Sequence, residues 1–258
     1  MPAFFPTEWT RPAQPPVLEP RQVHVWSAPL DVPAAALARL RTFLTNAEIQ
    51  RAERLRRPLH RARYVAARGY LRTLLGVYLH TDPAALRFRL GKFGKPFLAQ
   101  ERSADRLEFN STDSQSMGLF GFIWGRELGV DLECLPRNTD YVRIARRKFA
   151  AIEAEHLAKI PATEQLTAFL ACWTRKEAYG KALGVGIRYP LHEVVLCDAL
   201  QCATRPLIDS EQSTWVLKQI QPTPNSVAAI VVAGADDWTL RCFELDPATV
   251  SDYSAFTF

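Results

Sequence analysis

The sequence has few cysteines and no long apolar run. None of its five cysteines forms a C-x-x-C pair, so the spacing suggests neither a disulfide framework nor a zinc knuckle. The N-terminus has no basic segment followed by an apolar one, and the longest apolar run, VAAIVVAGA, is too short to cross a membrane. We therefore expect a cytoplasmic protein without a membrane association.

The excess of positive charge is small but concentrated. A formal net charge of +5 and a pI near 9.0 suggest an anionic partner, which could be nucleic acid, an acidic protein or a phosphorylated metabolite. Residues 51–72 contain eight arginines and one acid, Glu53. Because the guanidinium group matches phosphate oxygens, this stretch is either a set of solvated helix faces or a phosphate cradle.

The first half of the chain mixes helices and strands. Eight of the 18 prolines precede residue 34, which predicts an irregular arm over residues 1–20 that is not part of a sheet. The segment RQVHVWSA predicts a strand, Asp31 before Pro33 opens a helix, and Thr45 with Glu48 forms a capping box that opens another. A third helix is expected over residues 60–80, followed by strands at RLEFNS, MGLFGFIW and ELGVDLE.

The second half repeats this order. Helices are expected over residues 141–159 and 163–183, before strands at HEVVLC, STWVLKQI, VAAIVVA and WTLRCFEL. Both SMGLFGFIWGRELGVDLE and SVAAIVVAGADDWTLRCFEL read as serine, apolar strand, glycine turn and second strand. We predict an α+β fold, a pseudo-dimer of two similar halves, each a small mainly antiparallel sheet packed with helices. The divisions are 1–20 (arm), 21–125 and 126–258.

Charged side chains stand where apolar ones are expected. Glu177 and Lys181 continue the apolar helical stripe that passes through Trp173, and a charge aimed at an interior is costly unless it is paired or binds a ligand. Asp131 and Glu133 are two apart on a predicted strand, so they share a face. Together with Glu177 they offer three oxygen ligands suited to Mg²⁺. The alternative is a solvated strand edge and a surface i, i+4 ion pair.

Two motifs in combination carry a family resemblance. The motifs GVDLE (129–133) and WTRKEAYGK (173–181) resemble the paired signature of the Sfp-like (surfactin-type) 4'-phosphopantetheinyl transferases. The GKP at 94–96, the FN at 109–110 and the AARGYLR helix match as well, so the resemblance covers about residues 21–245.

The resemblance implies an activity and its participants. The family moves the phosphopantetheine arm of coenzyme A, the co-substrate, onto a serine of an acyl or peptidyl carrier protein, releasing adenosine 3',5'-bisphosphate. The coenzyme lies in the cleft between the halves, and we expect a monomer with no nucleic-acid partner. Phosphoryl transfer needs neutralised charge and a positioned nucleophile, which a metal, cations and one carboxylate supply.

The resemblance also assigns roles to residues. Mg²⁺ would be held by Asp131, Glu133 and Glu177. The catalytic residues would be Asp131, Glu177 and Lys181. Glu177 would also act as the base that takes the proton of the carrier serine. The coenzyme would be bound by Arg51, Arg68, Lys95, Thr112, Asp113, Lys176 and Lys181.

Asp113 departs from the family pattern. The family has a form such as FNxSHS where this chain has FNSTDS, so Thr112 replaces a serine and Asp113 replaces a histidine that contacts coenzyme phosphate. A carboxylate about 4 Å from a phosphate would cost about 1 kcal/mol in water, and about 4 at an effective dielectric of 20. Asp113 therefore turns away, shares the metal, or impairs activity.

Three functions remain open at this point. The first is a Mg²⁺-dependent transferase that primes carrier proteins. The second is a coenzyme A-binding protein whose transfer activity is impaired by Asp113. The third is a nucleic-acid binder, suggested by residues 51–72 alone, where Tyr64 and Tyr70 are the only aromatic residues between the arginines. The basic run RIARRK (143–148) is either a solvated helix face or a surface for an acidic carrier protein.

Overall fold

The computed structural model describes residues 4–5, 7–99, 106–136, 139–188, 190–197, 204–208 and 213–247, and the α+β class is confirmed. The helices are α1 (Ala34–Thr42), α2 (Asn46–Glu53), α3 (Pro58–Leu79), α4 (Tyr141–Lys148), α5 (Ala151–Lys159) and α6 (Ala162–Ala182). The strands are β1 (Trp9–Thr10), β2 (Gln22–Pro29), β3 (Phe88–Leu90), β4 (Pro96–Leu98), β5 (Leu107–Ser114), β6 (Met117–Trp124), β7 (Leu128–Cys134), β8 (Thr204–Ile208), β9 (Thr214–Ile220), β10 (Ser226–Ala233) and β11 (Thr239–Glu244).

Two larger sheets and one hairpin organise these strands. The first sheet has the order β1-β11-β2-β6-β5, the second has the order β7-β10-β9-β8, and β3 pairs with β4. Most neighbours are antiparallel, but β11 is parallel to both β1 and β2. Strand β11 comes from the end of the described chain, yet it lies in the sheet that contains β2, β5 and β6 from the first half. One strand therefore crosses the predicted boundary at residue 125. The division into two halves remains a prediction, and residues 248–258 lie outside the described residues.

The core is built in layers. Trp26, Phe120 and Phe122 of the first sheet pack against α1 and α3. Side chains on the alternate positions, such as Val25 and Val130, fill the space between the two sheets. The outer face of the second sheet packs against α5 and α6. The period-two alternation of the strand sequences thus serves two apolar layers, which is why strands such as MGLFGFIW are apolar throughout.

The two similar sequence segments behave alike in the fold. The chain passes from the first sheet to the second between β6 and β7, and it returns between β10 and β11. Each crossing uses a glycine with positive φ, +68° at Gly125 and +94° at Gly234, which other residues rarely adopt. Among the described residues, no helix combines the length and apolar content that crossing a membrane requires.

Gly129 sets the distance between β7 and α6. A Cβ built at this position would lie 2.0 Å from the carbonyl oxygen of Ala178 and 2.5 Å from the nitrogen of Ala182. Only glycine permits so close an approach of the helix backbone to the strand. The glycine that opens the GVDLE motif therefore holds the C-terminal half of α6 against the strand that carries Asp131 and Glu133.

Three predicted elements differ in the structure. The arm is not wholly irregular, since β1 pairs with β11. The predicted helix over residues 141–159 is two helices, because the chain turns at Phe149 and Ala150, where Glu153 accepts the backbone N–H of Ala150 at 2.9 Å. The predicted strand HEVVLC is wrong: Leu191–Glu193 is a short 3-10 helix, and residues 194–197 belong to no regular element.

A buried ion pair replaces that strand. Glu153 Oε1 accepts the backbone N–H groups of Leu196 (2.7 Å) and Cys197 (3.0 Å). Lys176 Nζ donates to the carbonyls of Leu191 and Val194, both at 2.6 Å, and lies 2.7 Å from Glu153 Oε2. Both charged side chains are fully buried. The pair thus satisfies backbone groups that a sheet would otherwise pair, and it pins residues 191–197 to α5 and α6.

We predict that Lys176→Met lowers the free energy of unfolding by about 3–5 kcal/mol, because it leaves Glu153 as an uncompensated buried charge. Urea denaturation measures the loss. Lys159→Met, at an exposed position of α5, is the control and should change stability by about 0.5 kcal/mol or less. A loss of less than about 1 kcal/mol for Lys176→Met would contradict a structural role for the pair.

Candidate active site

Asp131, Lys181 and Thr112 form the centre of the predicted site. Lys181 Nζ lies 2.6 Å from Asp131 Oδ1 and donates to Thr112 Oγ1 at 2.9 Å, while that hydroxyl donates to Asp131 Oδ1 at 3.2 Å. Asp131 is 5% exposed. Burial raises the pKa of its carboxyl above the usual value, and the charge of Lys181 opposes that rise. Strand β7, strand β5 and helix α6 each contribute one of the three residues.

Glu177 lies one helical turn before Lys181 and is 6% exposed. Burial, with Asp131 as the next cause, raises the pKa of its carboxyl to about 7, although Lys181 and Lys148 act in the opposite direction. Glu177 Oε1 and Asp131 Oδ2 are buried oxygens without a hydrogen-bond partner among the described residues. Such groups cost about 1–3 kcal/mol each unless a ligand satisfies them.

Glu133 completes the predicted set of carboxylates. It is buried, and Ser114 Oγ donates to its Oε2 at 3.1 Å. A cavity of about 390 Å³ opens beside it. The cavity is lined by Thr112, Asp113, Ser114, Gln115, Asp131, Leu132 and Glu133. The structure therefore brings two of the three predicted metal ligands to one cavity, with Glu177 close enough to Asp131 for their charges to interact.

These residues fit a hard cation. Unpartnered carboxylate oxygens on Asp131 and Glu177 are the donors that Mg²⁺ prefers, and a cation would relieve both the repulsion and the desolvation that raise their pKa values. The three carboxylates do not bring one oxygen each within 4.8 Å of one another in the described part of the chain. Closing on a cation would thus require the side chains to shift.

A different trio meets that distance, formed by Glu153, Cys172 and Cys197. Each oxygen of Glu153 already accepts two hydrogen bonds, from two backbone amides at Oε1 and from the Ala150 amide and Lys176 at Oε2. A carboxylate so occupied has no lone pair to offer a metal. We interpret this trio as part of the buried core around Lys176.

Asp113 is exposed at the edge of the cavity. Its neighbours Thr112 and Ser114 point toward β7, so strand alternation directs Asp113 to the opposite face of β5. There it lies near Arg63 of α3, whose pKa is raised mainly by its hydrogen bonds to Asp31 at 2.6 and 2.7 Å and to a lesser extent by the charge of Asp113. This arrangement favours the first of the three alternatives for Asp113, that it turns away.

Arg51 and Arg68 line a second cavity, of about 490 Å³, together with Glu48, Tyr64 and Phe88. The turn after β3 contributes Gly94 and Pro96 to the same wall. Arg68 donates to Glu48 Oε1 at 2.6 Å and stacks over Phe88, while Arg51 stacks over Tyr64. The cavity combines cations with aromatic faces, which suits a nucleotide carrying phosphate.

Two residues predicted to bind the coenzyme, Lys95 and Lys176, instead bond to groups within the protein. Lys95 Nζ donates to the carbonyls of Leu128 and Ala182, both at 3.0 Å, so its ammonium ties the GKP turn to β7 and α6. Burial lowers the pKa of Lys95. Lys176 is wholly buried against Glu153 and two carbonyls. Neither ammonium is placed to neutralise a phosphate, and we now assign both residues structural roles.

The basic stretch at 51–72 is also partly used within the fold. Arg61 donates to the carbonyl of Leu55, Arg63 binds Asp31, and Arg68 and Arg72 both bind Glu48. These internal partners leave fewer guanidinium groups for a nucleic acid than the sequence suggests. These arginines therefore help to pack the helices, and the high arginine content of the stretch does not by itself indicate phosphate binding.

Three residues near the site were not predicted from the sequence: Ser114, Arg63 and Lys148. Ser114 had a signal in its spacing: Thr112 and Ser114 are two apart on β5, as Asp131 and Glu133 are on β7, and the structure pairs them in that order. Arg63 lay unmarked among eight arginines. Lys148 was read only as part of a basic run, although the charge of its ammonium acts on Glu177.

Comparison with known proteins agrees with this site. The sequence profile of the 4'-phosphopantetheinyl transferase superfamily matches residues 127–232. The 4'-phosphopantetheinyl transferase HetI of Nostoc sp. is 37% identical over 83% of this chain and 88% of that protein. The putative 4'-phosphopantetheinyl transferase slr0495 of Synechocystis sp. is 34% identical over 67% of this chain and 70% of that protein.

A more distant relative, the 4'-phosphopantetheinyl transferase of Bacillus subtilis, is 26% identical over 47% of this chain and 51% of that protein. The profile match contains Asp131 and Glu133 of β7 together with Glu177 and Lys181 of α6, the residues that the structure gathers at one site. This chain belongs to the 4'-phosphopantetheinyl transferase superfamily.

Proposed function

We propose that this protein transfers the 4'-phosphopantetheine arm of coenzyme A to a serine of an apo acyl or peptidyl carrier protein and releases adenosine 3',5'-bisphosphate. The observation that carries the proposal is the pair of buried, unpartnered oxygens, Asp131 Oδ2 and Glu177 Oε1, beside the ammonium of Lys181. A site with this charge pattern suits a cation and a diphosphate together. The names of the relatives support the same reaction.

Each side chain has a proposed task in the transfer. Mg²⁺ held by Asp131, Glu133 and Glu177 would neutralise charge on the diphosphate. Lys181, already beside Asp131, would donate a hydrogen bond to a phosphate oxygen. Thr112, which accepts from Lys181, would keep that ammonium in place.

Glu177 is proposed as the base. It takes the proton of the serine hydroxyl while the serine oxygen forms a bond to the phosphorus of the phosphopantetheine arm. The bond from that phosphorus to the oxygen of the bisphosphate breaks, and the bisphosphate leaves with the electron pair. Burial raises the pKa of this carboxyl to about 7, and a bound cation would lower it again, so Glu177 would be ionised and able to accept the proton near neutral pH.

The cavity lined by Arg51 and Arg68 is proposed to hold the nucleotide end of coenzyme A. Tyr64 and Phe88 would offer aromatic surface to the adenine ring of the coenzyme, and Arg51 would offer its charge to a phosphate. We also propose that the protein is of the surfactin type, with two halves that meet near residue 125. The paired crossings between sheets at Gly125 and Gly234 support this. A monomer acting in the cytoplasm remains the expectation from sequence.

The carrier protein is proposed to dock on α4. Arg143, Arg146 and Arg147 are exposed on this helix, and Val142 (43% exposed) and Ile152 (47%) add apolar surface nearby. Lys148 at the end of α4 is near enough to Glu177 for its charge to lower the pKa of that carboxyl. The basic face therefore lies beside the site, where an acidic carrier would be steered by charge.

The transfer itself is tested by the intact mass of an apo carrier protein incubated with this protein, coenzyme A and Mg²⁺. We expect a gain equal to one phosphopantetheine arm. Glu177→Gln should slow the transfer by about a hundredfold or more, because it removes the base. Glu155→Gln, at an exposed position of α5, is the matched control and should transfer normally. Binding of coenzyme A without any mass gain across several carriers would instead support the impaired-binder function.

Asp113→His tests the departure from the family pattern. We expect coenzyme A to bind with an affinity within about twofold of wild type, because the structure directs this side chain to the face of β5 that points away from Asp131. Isothermal titration with coenzyme A measures the affinity, and Asp113→Asn separates loss of the negative charge from gain of the imidazole. Binding about fivefold tighter in both variants, the gain from removing about 1 kcal/mol of repulsion, would contradict this and mean that Asp113 faces the phosphates.

Charge reversal on α4 tests the docking surface. The double variant Arg143→Glu and Arg146→Glu should raise the KM for an acidic carrier by about tenfold, taking two exposed contacts at about 0.7 kcal/mol each. The KM for coenzyme A should not change. The control is Arg54→Glu and Arg57→Glu, two exposed arginines of the other basic segment. An equal rise in both double variants would point to net charge rather than to α4.

A further inference from the structure

Strands β5 and β7 are joined by side chains instead of a backbone ladder. β5 pairs with β6 at the edge of the first sheet, and β7 pairs with β10 at the edge of the second. Along β5 the side chains of Asn110, Thr112 and Ser114 reach across to β7. Asn110 Oδ1 accepts the backbone N–H of Val130 at 3.0 Å, and Ser114 Oγ accepts that of Cys134 at 3.1 Å. Edge amides of β7 are therefore satisfied by side chains of β5.

Ser114 does more than satisfy an amide. Its oxygen accepts the N–H of Cys134, so its own proton is available to donate, and Glu133 Oε2 lies 3.1 Å away. The Ser114 hydroxyl thus accepts a hydrogen bond from the backbone of β7 and donates one to the carboxylate of Glu133. Ser114 is 8% exposed and Glu133 is 6% exposed, so water has little access to compete for this bond.

The orientation of Glu133 is the consequence. A glutamate side chain has three rotatable torsions and can adopt several orientations, and repulsion by a neighbouring carboxylate such as Asp131 would turn it away from the site. A bond from a hydroxyl that is itself fixed by the strand backbone selects one orientation. Gln115 strengthens the anchor, since its Nε2 donates to the carbonyls of Cys134 (3.0 Å) and Pro136 (2.9 Å) and holds the end of β7 against β5.

We propose that Ser114 is a positioning residue, which sets the carboxylate of Glu133 for cation binding through the relay from Cys134 N–H to Ser114 Oγ to Glu133 Oε2. Its effect on catalysis rests on the proposed function, but its effect on cation binding does not. Groups that orient a metal ligand in this way commonly change metal affinity by 10- to 100-fold when they are removed.

The test is the affinity for Mn²⁺, used as the probe, with coenzyme A present and free Mn²⁺ measured by electron paramagnetic resonance. Ser114→Ala should weaken Mn²⁺ binding by about tenfold or more. Ser114→Thr keeps the hydroxyl and should stay within about threefold of wild type. Ser111→Ala is the matched control, because Ser111 is a serine of the same strand on the opposite face, and it should change nothing.

Melting temperatures separate positioning from mere packing. A Ser114→Ala protein that melts earlier but binds Mn²⁺ as tightly as wild type would overturn the proposal, as would a wild type with no Mn²⁺ affinity. If Ser114→Ala does not fold, Ser114→Cys, with a similar shape and a weaker donor, should show the same loss of Mn²⁺ affinity. Unchanged affinity in that variant overturns the proposal equally.

The transfer assay run in parallel keeps the two claims apart. Wild-type transfer combined with Mn²⁺ affinity that does not depend on Ser114 contradicts only the positioning role. Mn²⁺ affinity that does depend on Ser114, with no transfer by wild type, leaves the positioning role intact and contradicts the proposed function.

Discussion

The site depends on two buried carboxylates that share one ammonium. Asp131 and Glu177 are 5% and 6% exposed, burial and the charge of Asp131 raise the pKa of Glu177, and Lys181 bonds directly to Asp131. Such an arrangement is unfavourable in isolation, because one oxygen of each carboxylate has no partner among the described residues. Its geometry is imposed by Gly129, which lets α6 lie directly on β7. The fold thus concentrates negative charge where a cation would remove the cost.

The same chain also contains a buried carboxylate that is fully satisfied. Glu153 accepts four hydrogen bonds, one of them from Lys176, and it organises residues 191–197 without needing a ligand. Glu177 is the neighbour of Lys176 in sequence, yet its Oε1 has no partner in the described structure. Burial alone does not mark a functional carboxylate. The contrast between satisfied and unsatisfied oxygens separates the structural pair from the candidate site.

Local patterns predicted much of the fold. The capping box of Thr45 and Glu48 opens α2 as expected, and the alternation in GVDLE correctly puts Asp131 and Glu133 on one face. The resemblance of the paired motifs GVDLE and WTRKEAYGK indicated the superfamily, and the two charges that interrupt the apolar stripe of α6 indicated where its site lies. Prediction failed where long-range contacts decide the outcome. HEVVLC has strand composition, but Glu153 accepts its last two amides and Lys176 donates to the carbonyl of Val194.

The two lysines assigned to phosphate show the same limit. Lys95 and Lys176 lie within family motifs, and motif position says nothing about where a flexible side chain ends. Their ammonium groups instead bond to backbone carbonyls that come from distant parts of the chain. The short β1 strand was missed for a similar reason, since Trp9 and Thr10 pair with β11 more than 200 residues away. Such pairings depend on the assembled fold and have no local signal.

The most direct measurement is a crystal structure with coenzyme A and Mn²⁺, in which anomalous diffraction locates the cation. We predict one strong peak in contact with Asp131, Glu133, Glu177 and the diphosphate, at about the 2.1 Å expected for an octahedral cation of this kind. A peak at Glu153, Cys172 and Cys197, or a diphosphate bound without a cation near Asp131, would contradict it.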